Sequence, residues 1–192
     1  MQDDLIRLEE ISKGCLLLAD PSIINDPYFN RAIILITECN EEKEIVGFIM
    51  NKPLEHNFQD IISGNGKDFI IHNGGPVNKD NLYYIHNIPD LISNSIKISN
   101  NLFWGGEFSD VKNVIKNNKA NTNNIRFFSG YSGWTLSQIN NEIKQKSWII
   151  TNNRFMHKIL GSKSNEFWKE EIKKLGDDYI IWSNAPENPN HN

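Results

Sequence analysis

The stretch that decides the fold is residues 125–150, IRFFSGYSGWTLSQINNEIKQKSWII. It opens with a short apolar and aromatic run at 125–128, which is typical of a buried strand. Apolar residues then recur at helical spacing and predict a helix at 136–146. A second apolar run at 148–150 predicts another strand. Because strand, helix and strand follow one another closely, the stretch favours a domain that mixes α and β structure.

The helix in this stretch has an N-terminal signature. Thr135 and Gln138 have the spacing of a capping box, in which each side chain hydrogen-bonds the backbone N–H of the other residue. Trp134 and Ile139 occupy the positions of a hydrophobic staple. We therefore interpret the segment as structural and expect Trp134 to clamp a turn from strand to helix. The residues assigned to this structural motif are Gly130, Gly133, Trp134, Thr135 and Gln138.

Ser132 invites a catalytic interpretation. It lies between a predicted strand and a predicted helix, where some hydrolases place a nucleophilic serine in the pattern G-x-S-x-G. Here Trp134 occupies the last position of that pattern, where a small residue is needed. No His and acid stand in a recognisable relation to Ser132 either. We expect Ser132 to be structural, and the sequence predicts no catalytic residue.

Outward from this stretch, further short apolar runs are bounded by Pro, Asn, Asp or charged residues and predict strands. Several of them are separated by only a few residues, which favours antiparallel or mixed pairing over repeated crossover units. These runs lie at 14–19, 31–37, 45–50, 69–72, 82–85 and 95–98.

Other helices are predicted at 58–62, 109–117 and 165–175. The last has the clearest pattern, because its apolar residues share one face at helical spacing. Ser164 can cap its start and Gly176 can end it. Its charged residues are expected to form a solvated face.

The chain of 192 residues fits one domain, which we place at residues 1–182. The segment 183–192 lacks apolar residues to bury and is predicted to be a flexible tail. Apolar residues make up 39% and charged residues 23% of the sequence, which is the composition of a globular protein rather than a disordered one.

The net charge of −4 argues against direct binding to nucleic acid, because phosphate contacts normally need a basic surface. No apolar run approaches the ~20 residues needed to cross a bilayer. The start, Met-Gln-Asp-Asp, is acidic where a signal peptide is basic. We therefore expect a cytoplasmic protein without membrane contact.

The sequence predicts neither a metal site nor a cofactor. Its histidines lack the spacings of common zinc sites and have no cysteine cluster beside them. His72 and His86 fall in or beside predicted strands and are interpreted as hydrogen-bonded sheet histidines. Cys15 and Cys39 form no close-spaced motif, so buried free thiols are favoured over a disulfide or a reactive pair.

Two glycine pairs, 74–75 and 105–106, have the potential to present backbone amides to an anion. Neither fits a phosphate-loop signature. Turns with positive φ or close chain packing are the favoured interpretation.

A polar loop at 26–31 is the candidate binding region. Asp26 and Arg31 precede a predicted buried strand, and Asn51 follows the next strand along the chain. An internal pair between Asp26 and Arg31 is favoured, since arginines near cores usually have carboxylate partners. The alternative is a ligand contact, with Asp26, Arg31 and Asn51 on the rim of a polar pocket.

Many separated positions in residues 14–182 resemble the AlgH/YqgE family of bacterial proteins. The resemblance implies an α+β fold with a bent, bifurcated sheet that approaches a pseudo-barrel and carries helices outside. It associates the chain with transcriptional regulation but supplies no established catalytic residue. The motifs that carry it are Ala19-Asp20-Pro21, residues 74–77 (Gly-Gly-Pro-Val), Gly130, Gly133, Trp134, Gln138, Glu142 and Trp148.

Three functional hypotheses follow. A non-enzymatic regulatory or adaptor protein that acts through protein contacts is the favoured one, with homo-oligomerisation left open. A direct nucleic-acid binder is the second, suggested only by the regulatory association. The third is a small-molecule binder or enzyme that uses a polar pocket near Asp26, Arg31 and Asn51.

Overall fold

The computed structural model describes residues 11–40, 44–57, 69–151, 159–161 and 164–185. Its strands are β1 (Leu16–Ala19), β2 (Ile33–Glu38), β3 (Ile45–Ile49), β4 (Pro53–Asn57), β5 (Ile70–Asn73), β6 (Val77–His86), β7 (Ile96–Ser99), β8 (Leu102–Trp104), β9 (Ile125–Trp134) and β10 (Trp148–Thr151). The helices are α1 (Phe108–Lys116), α2 (Leu136–Lys144), α3 (Ser164–Lys173) and α4 (Asp177–Asn184), with a 3-10 turn at Pro21–Ile23.

The strands form one curled sheet in the order β10-β1-β2-β3-β9-β6-β8-β7, and β4 and β5 lie off this path. Neighbours along the path are antiparallel. The exception is off the path, where β5 runs parallel to β9. The sheet curls into a half-barrel with helices outside, so the predicted α+β fold is confirmed.

β9 is the strand at which the sheet divides. Its residues 127–129 pair with β5 on one edge and with β6 on the other. Farther along, its residues 132–134 pair with β3 instead. The sequence predicted only 125–128 as strand, but β9 continues to Trp134, so the turn into α2 begins at Thr135.

The alternation of side chains along β1 shows how the sheet separates two cores. Leu16 and Leu18 belong to a buried cluster that includes Trp168 of α3. Leu17 and Ala19 belong to a cluster on the opposite side, which includes residues of β9, α2 and β10. This period of two is the one expected for a strand that is buried on both faces. A third cluster lies beneath α1.

Three predicted helices, at 109–117, 136–146 and 165–175, correspond to α1, α2 and α3. The helix predicted at 58–62 lies outside the described residues. Strands β4 and β8 were not predicted, and β6 is longer than the predicted strand at 82–85.

Helix α4 was not predicted, and it includes two residues that the sequence analysis assigned to the tail. Ser183 and Asn184 were assigned to a flexible tail, but both belong to α4, and Ser183 is buried. The Ser183 Oγ donates to the Ile180 carbonyl at 2.7 Å. Residues 183 and 184 therefore belong to a helix and not to a flexible tail, while the extent of the domain stays a prediction. Residues 186–192 lie outside the described part.

Candidate functional site

The loop before β2 is held by Asp26. Its Oδ1 accepts hydrogen bonds from the backbone N–H groups of Tyr28 at 2.8 Å and Phe29 at 2.7 Å. The Arg31 guanidinium is directed to a different partner, the carbonyl of Ala185. The predicted pair between Asp26 and Arg31 is therefore wrong: the carboxylate is used to cap its own loop.

Arg31 connects this loop to the C-terminal helices. Its Nη2 donates to the Ala185 carbonyl at 2.7 Å, at the C-cap of α4, where a cation is favourable to the helix dipole. The guanidinium carbon lies 5.3 Å from the centre of the Trp168 ring, in cation–π geometry. The Trp168 indole N–H in turn donates to the Ala19 carbonyl at 3.0 Å. Together these contacts fasten α3 and α4 to β1 and β2.

Asn51 fixes the backbone that carries Arg31. The Asn51 Nδ2 donates to the Arg31 carbonyl at 2.7 Å, and its Oδ1 accepts from the Ile33 N–H at 2.8 Å. Arg31 itself has φ of 55°, a left-handed conformation that is uncommon for a non-glycine residue. The buried side-chain amide of Asn51 therefore hydrogen-bonds the backbone at the start of β2 in the way that the backbone of a neighbouring strand does.

The structure thus brings Arg31 and Asn51 into direct contact, while Asp26 shapes the loop that precedes them. We call these three residues the anchoring network. The contacts described above support the position of α4, and a ligand contact by the network stays a prediction.

Phe29, from the same loop, inserts into a group that we call the tryptophan clamp, formed by Phe29, Trp134, Glu142 and Trp148. The Phe29 ring lies 6.0 Å from the Trp134 ring and 5.3 Å from the Trp148 ring. One oxygen of Glu142, Oε2, accepts from the indole N–H of Trp134 at 3.0 Å and of Trp148 at 2.7 Å. The clamp joins the loop to β9, α2 and β10.

The predicted capping box is half formed. The Thr135 Oγ1 accepts from the backbone N–H of Gln138 at 3.2 Å. The Gln138 side chain does not return to Thr135 but donates to Glu142 Oε1 at 2.9 Å. Gln138 therefore orients the carboxylate of the tryptophan clamp. Trp134 and Ile139, the predicted staple, belong to the same buried cluster.

Ser132 is fully buried within β9. Its Oγ donates to the Gly74 carbonyl at 3.1 Å, which ties β9 to the turn after β5. The chains meet closely here: a Cβ on Gly130, which has φ of 70°, would lie 2.7 Å from the carbonyl oxygens of Gly75 and Val77. Close packing therefore explains Gly130 and the glycine pair at 74–75, and no bound anion is needed to account for them.

Because Ser132 is buried and donates to a carbonyl, we expect a serine-directed fluorophosphonate probe to leave the folded protein unlabelled. Mass spectrometry of the probe-treated protein checks this, with Ser132→Ala as the matched control. Stoichiometric labelling that disappears in Ser132→Ala would instead require an opening of the sheet that exposes an activated serine.

The two histidines occupy separate environments. His72 on β5 and His86 on β6 flank β9 on opposite edges, so they do not form a pair. His86 is fully buried and bonded, its Nδ1 accepting from the Ile88 N–H at 3.3 Å. Burial, with a contribution from the Arg126 charge, lowers the pKa of His72 to about 4. Burial also lowers the pKa of His86. Both histidines therefore favour the neutral imidazole at physiological pH.

Cys15 is a buried thiol, as predicted, whereas Cys39 is only half-buried and its Sγ donates to the Ile11 carbonyl at 3.3 Å. Burial raises the pKa of Cys15 to about 11, which disfavours the reactive thiolate. Among the described residues no cluster of three or more His, Cys, Asp or Glu is arranged to hold a metal ion. None of the helices in the described ranges is long and apolar enough to span a membrane.

Helix α4 displays an apolar surface that the sequence reasoning missed. Ile181 is 74% exposed, and its neighbours Ile180 and Trp182 are 41% and 44% exposed. We call these three residues the α4 surface. The sequence does contain a signal for this helix. Gly176 is followed by two acidic residues and then by an apolar run, an order that is typical of a helix start.

The profile of the AlgH-like family matches residues 16–180. A UPF0301 protein of Parabacteroides distasonis is 34% identical over 184 residues, which cover 92% of this chain and 89% of that protein. A UPF0301 protein of Chlorobaculum tepidum is 34% identical over 185 residues, covering 96% and 97% of the two chains.

Two solved structures share the fold. A crystal structure of a Corynebacterium diphtheriae protein superposes with a TM-score of 0.75 at 18% identity, covering 96% of this chain and all (100%) of the other. The solution structure of the AlgH protein from Pseudomonas aeruginosa superposes with a TM-score of 0.69 at 21% identity, covering 91% and 94%. At these identities the likeness establishes the fold alone.

Proposed function

This chain belongs to the AlgH-like family, and on that premise we propose that it is a non-enzymatic adaptor that binds a partner protein through the α4 surface. The observation that carries the proposal is the exposure of Ile181, which is 74%, between two other exposed apolar residues. Contiguous exposed apolar residues mark interaction sites more often than scattered ones do. Trp182 adds a residue type that is enriched among the anchors of protein interfaces.

The size of the α4 surface favours a groove on a larger partner over a second copy of this chain. Helix α4 has eight residues, so it spans about 12 Å. A stable symmetric dimer buries on the order of 800 Å² per subunit, which three side chains do not supply. A short apolar helix fits well into a hydrophobic groove, where a few anchors provide most of the binding energy.

The charge of α4 also indicates what kind of partner surface to expect. The sequence of α4, DDYIIWSN, contains two acidic residues and no basic one. A groove with an apolar floor and a basic rim is complementary to it, whereas the phosphates of nucleic acid are not. A regulatory role of the kind associated with the AlgH/YqgE resemblance would then be exercised through the partner protein and not by direct contact with DNA.

The anchoring network gives the α4 surface a fixed position. Arg31 holds the C-cap of α4 through the Ala185 carbonyl, and Asn51 holds the backbone of Arg31. Interaction sites gain affinity when their supporting residues are rigid, because less conformational entropy is lost on binding. Under this proposal Asp26, Arg31 and Asn51 contribute to binding by supporting α4.

The test is capture of partners from native cells with the wild-type chain, Ile181→Asp and Leu136→Asp as baits. Leu136 is also exposed, at 37%, but it lies at the start of α2, where an added acidic residue is favourable to the helix. We expect one partner to be retained by Leu136→Asp and to bind Ile181→Asp roughly 30-fold more weakly, as for an interface anchor.

Thermal melts of all three baits verify that they are folded. An identical set of captured proteins with Ile181→Asp and wild type would contradict the proposal. Light scattering addresses self-association: a wild-type dimer that Ile181→Asp dissociates, with no other protein lost, would assign the α4 surface to a second copy instead.

A further inference from the structure

A cavity of about 370 Å³ lies between β6, the end of β8 and the start of α1. This volume is within the range of about 300–1,000 Å³ that is usual for small-molecule sites. None of its lining residues belongs to the anchoring network, the tryptophan clamp or the α4 surface. The residues that line it are Leu82, Tyr83, Tyr84, Trp104, Gly105, Gly106 and Phe108.

Aromatic rings form most of the cavity wall, and contacts behind them hold them in place. The Tyr84 hydroxyl donates to the Gly106 carbonyl at 2.6 Å, and its ring lies 6.1 Å from that of Phe108. Tyr83 and Trp104 both pack against Phe48, with ring centres 5.6 and 6.1 Å away. The wall is therefore formed before any ligand enters, which lowers the entropy lost on binding.

Trp104 differs from Tyr84 in how it is held. Its indole N–H is buried and has no hydrogen-bond partner within the described part of the chain. The ring is thus fixed by packing alone.

Gly105 lines the cavity at the turn between β8 and α1. Gly105 has φ of 65°, and a Cβ added there would meet no atom within 4 Å. Its backbone is nevertheless fixed, because its N–H donates to the Tyr84 carbonyl at 3.0 Å and its own carbonyl is 3.2 Å from the His86 Nε2. The opening therefore belongs to an ordered turn and not to a gap in packing.

The charged groups around the cavity are already engaged. Glu107 accepts from the Asn94 side chain at 2.8 Å, and Asp110 accepts from the Ser93 hydroxyl at 2.7 Å. The Lys112 ammonium lies 5.1 Å from the centre of the Phe108 ring. The two carboxylates outnumber the one ammonium, so the charge that flanks the opening disfavours an anionic ligand.

Tyr84 supplies no charge to the wall either. Burial, together with the nearby Glu107 and Asp110 carboxylates, raises the pKa of its phenol to about 12. At physiological pH the wall is neutral and aromatic. Such a wall interacts best with an apolar or aromatic ring, through area burial and ring stacking.

We propose that this cavity binds a small, neutral, planar aromatic molecule between Tyr84, Trp104 and Phe108. Binding here is independent of the partner proposed for the α4 surface, because the two sites share no residue. A ligand in this cavity would also contact the start of α1, and it would stabilise the folded protein by mass action.

The probe for this site is N-phenyl-1-naphthylamine, a neutral aromatic fluorophore that brightens in apolar surroundings. We expect saturable binding of one molecule per chain to the wild type. Phe108→Ala removes one wall, and Gly105→Asn narrows the turn at a left-handed position that Asn tolerates. Each variant is expected to bind at least ten-fold more weakly, and the anionic analogue 8-anilinonaphthalene-1-sulfonate is expected to bind the wild type at least ten-fold more weakly.

Ile181→Asp serves as the control for adsorption of the probe to the α4 surface, and it is expected to leave binding unchanged. Circular dichroism melts show whether the cavity variants are folded. Two variants of different kinds are used so that the test still works if one of them fails to fold. Absence of saturable binding, binding that both folded cavity variants retain, or binding that is lost in Ile181→Asp would each overturn the proposal. Equal or tighter binding of the anionic analogue would overturn the neutral ligand class.

Discussion

Trp134→Ala is expected to lower the free energy of unfolding by about 3 kcal/mol, the usual cost of truncating a large buried aromatic side chain. Trp134 is 2% exposed, and its ring lies 6.0 Å from both the Phe29 ring and the Trp148 ring. Its removal leaves a cavity at the centre of the tryptophan clamp. It also deprives Glu142 of one of two indole donors.

Urea denaturation monitored by circular dichroism measures this effect. Thr135→Ala is the matched comparison, since it alters the adjacent residue and removes only the cap of α2, at a cost of about 1 kcal/mol. If Trp134→Ala unfolds at the same urea concentration as the wild type, the structural account of the 125–150 segment fails, and a functional role for Trp134 regains weight.

Glu142→Ala is expected to cost roughly 2–3 kcal/mol, although Glu142 is itself only half-buried. The reason is that a single oxygen accepts from two indole N–H groups, and the tryptophans that carry them are buried. A buried donor that loses its acceptor costs about 1–3 kcal/mol. Two unsatisfied donors would cost more than one. Water that enters at the exposed side of the missing carboxylate hydrogen-bonds the indole N–H groups, and this lowers the total loss of stability.

Glu142→Gln is the control for this prediction, because it retains an oxygen acceptor of the same shape. We expect it to lose less than half as much stability as Glu142→Ala in the same urea titration. A double-mutant cycle with Trp134→Phe isolates the hydrogen bond to Trp134. Equal losses for Gln and Ala, or no coupling in the cycle, would show that the carboxylate does not hold the clamp.

Local patterns in the sequence predicted much of the fold. The apolar runs at 14–19, 31–37 and 45–50 correspond to the buried strands β1, β2 and β3, because strands covered on both faces read as continuous apolar segments. The N-cap at Thr135 could also be predicted from the sequence, because it depends on two residues only three positions apart.

Other features depend on contacts that no local pattern encodes. Residues 130–134 contain two glycines and read as a turn, but pairing with β3 and the close approach of the 74–75 backbone keep them in β9. Pairing between separate segments likewise assembles the cavity from β6, β8 and α1. No spacing between residues in the sequence relates those segments.

The anchoring network shows how a locally plausible interpretation of the site was changed by distant residues. Asp26 and Arg31 are close in sequence, which suggested that they pair. The Arg31 guanidinium instead reaches Ala185, more than 150 positions away along the chain. Because α4 was itself not predicted, neither this partner nor the α4 surface was anticipated, although the sequence carried a signal for the start of that helix.

The most direct test of the proposed adaptor function is photo-cross-linking in native cells with a photoreactive amino acid at position 181. The account predicts a covalent adduct with a different protein, formed from position 181 and absent when the same amino acid is placed at position 136 as a control. Failure to form any adduct from 181, or an adduct only with a second copy of this chain, would contradict it.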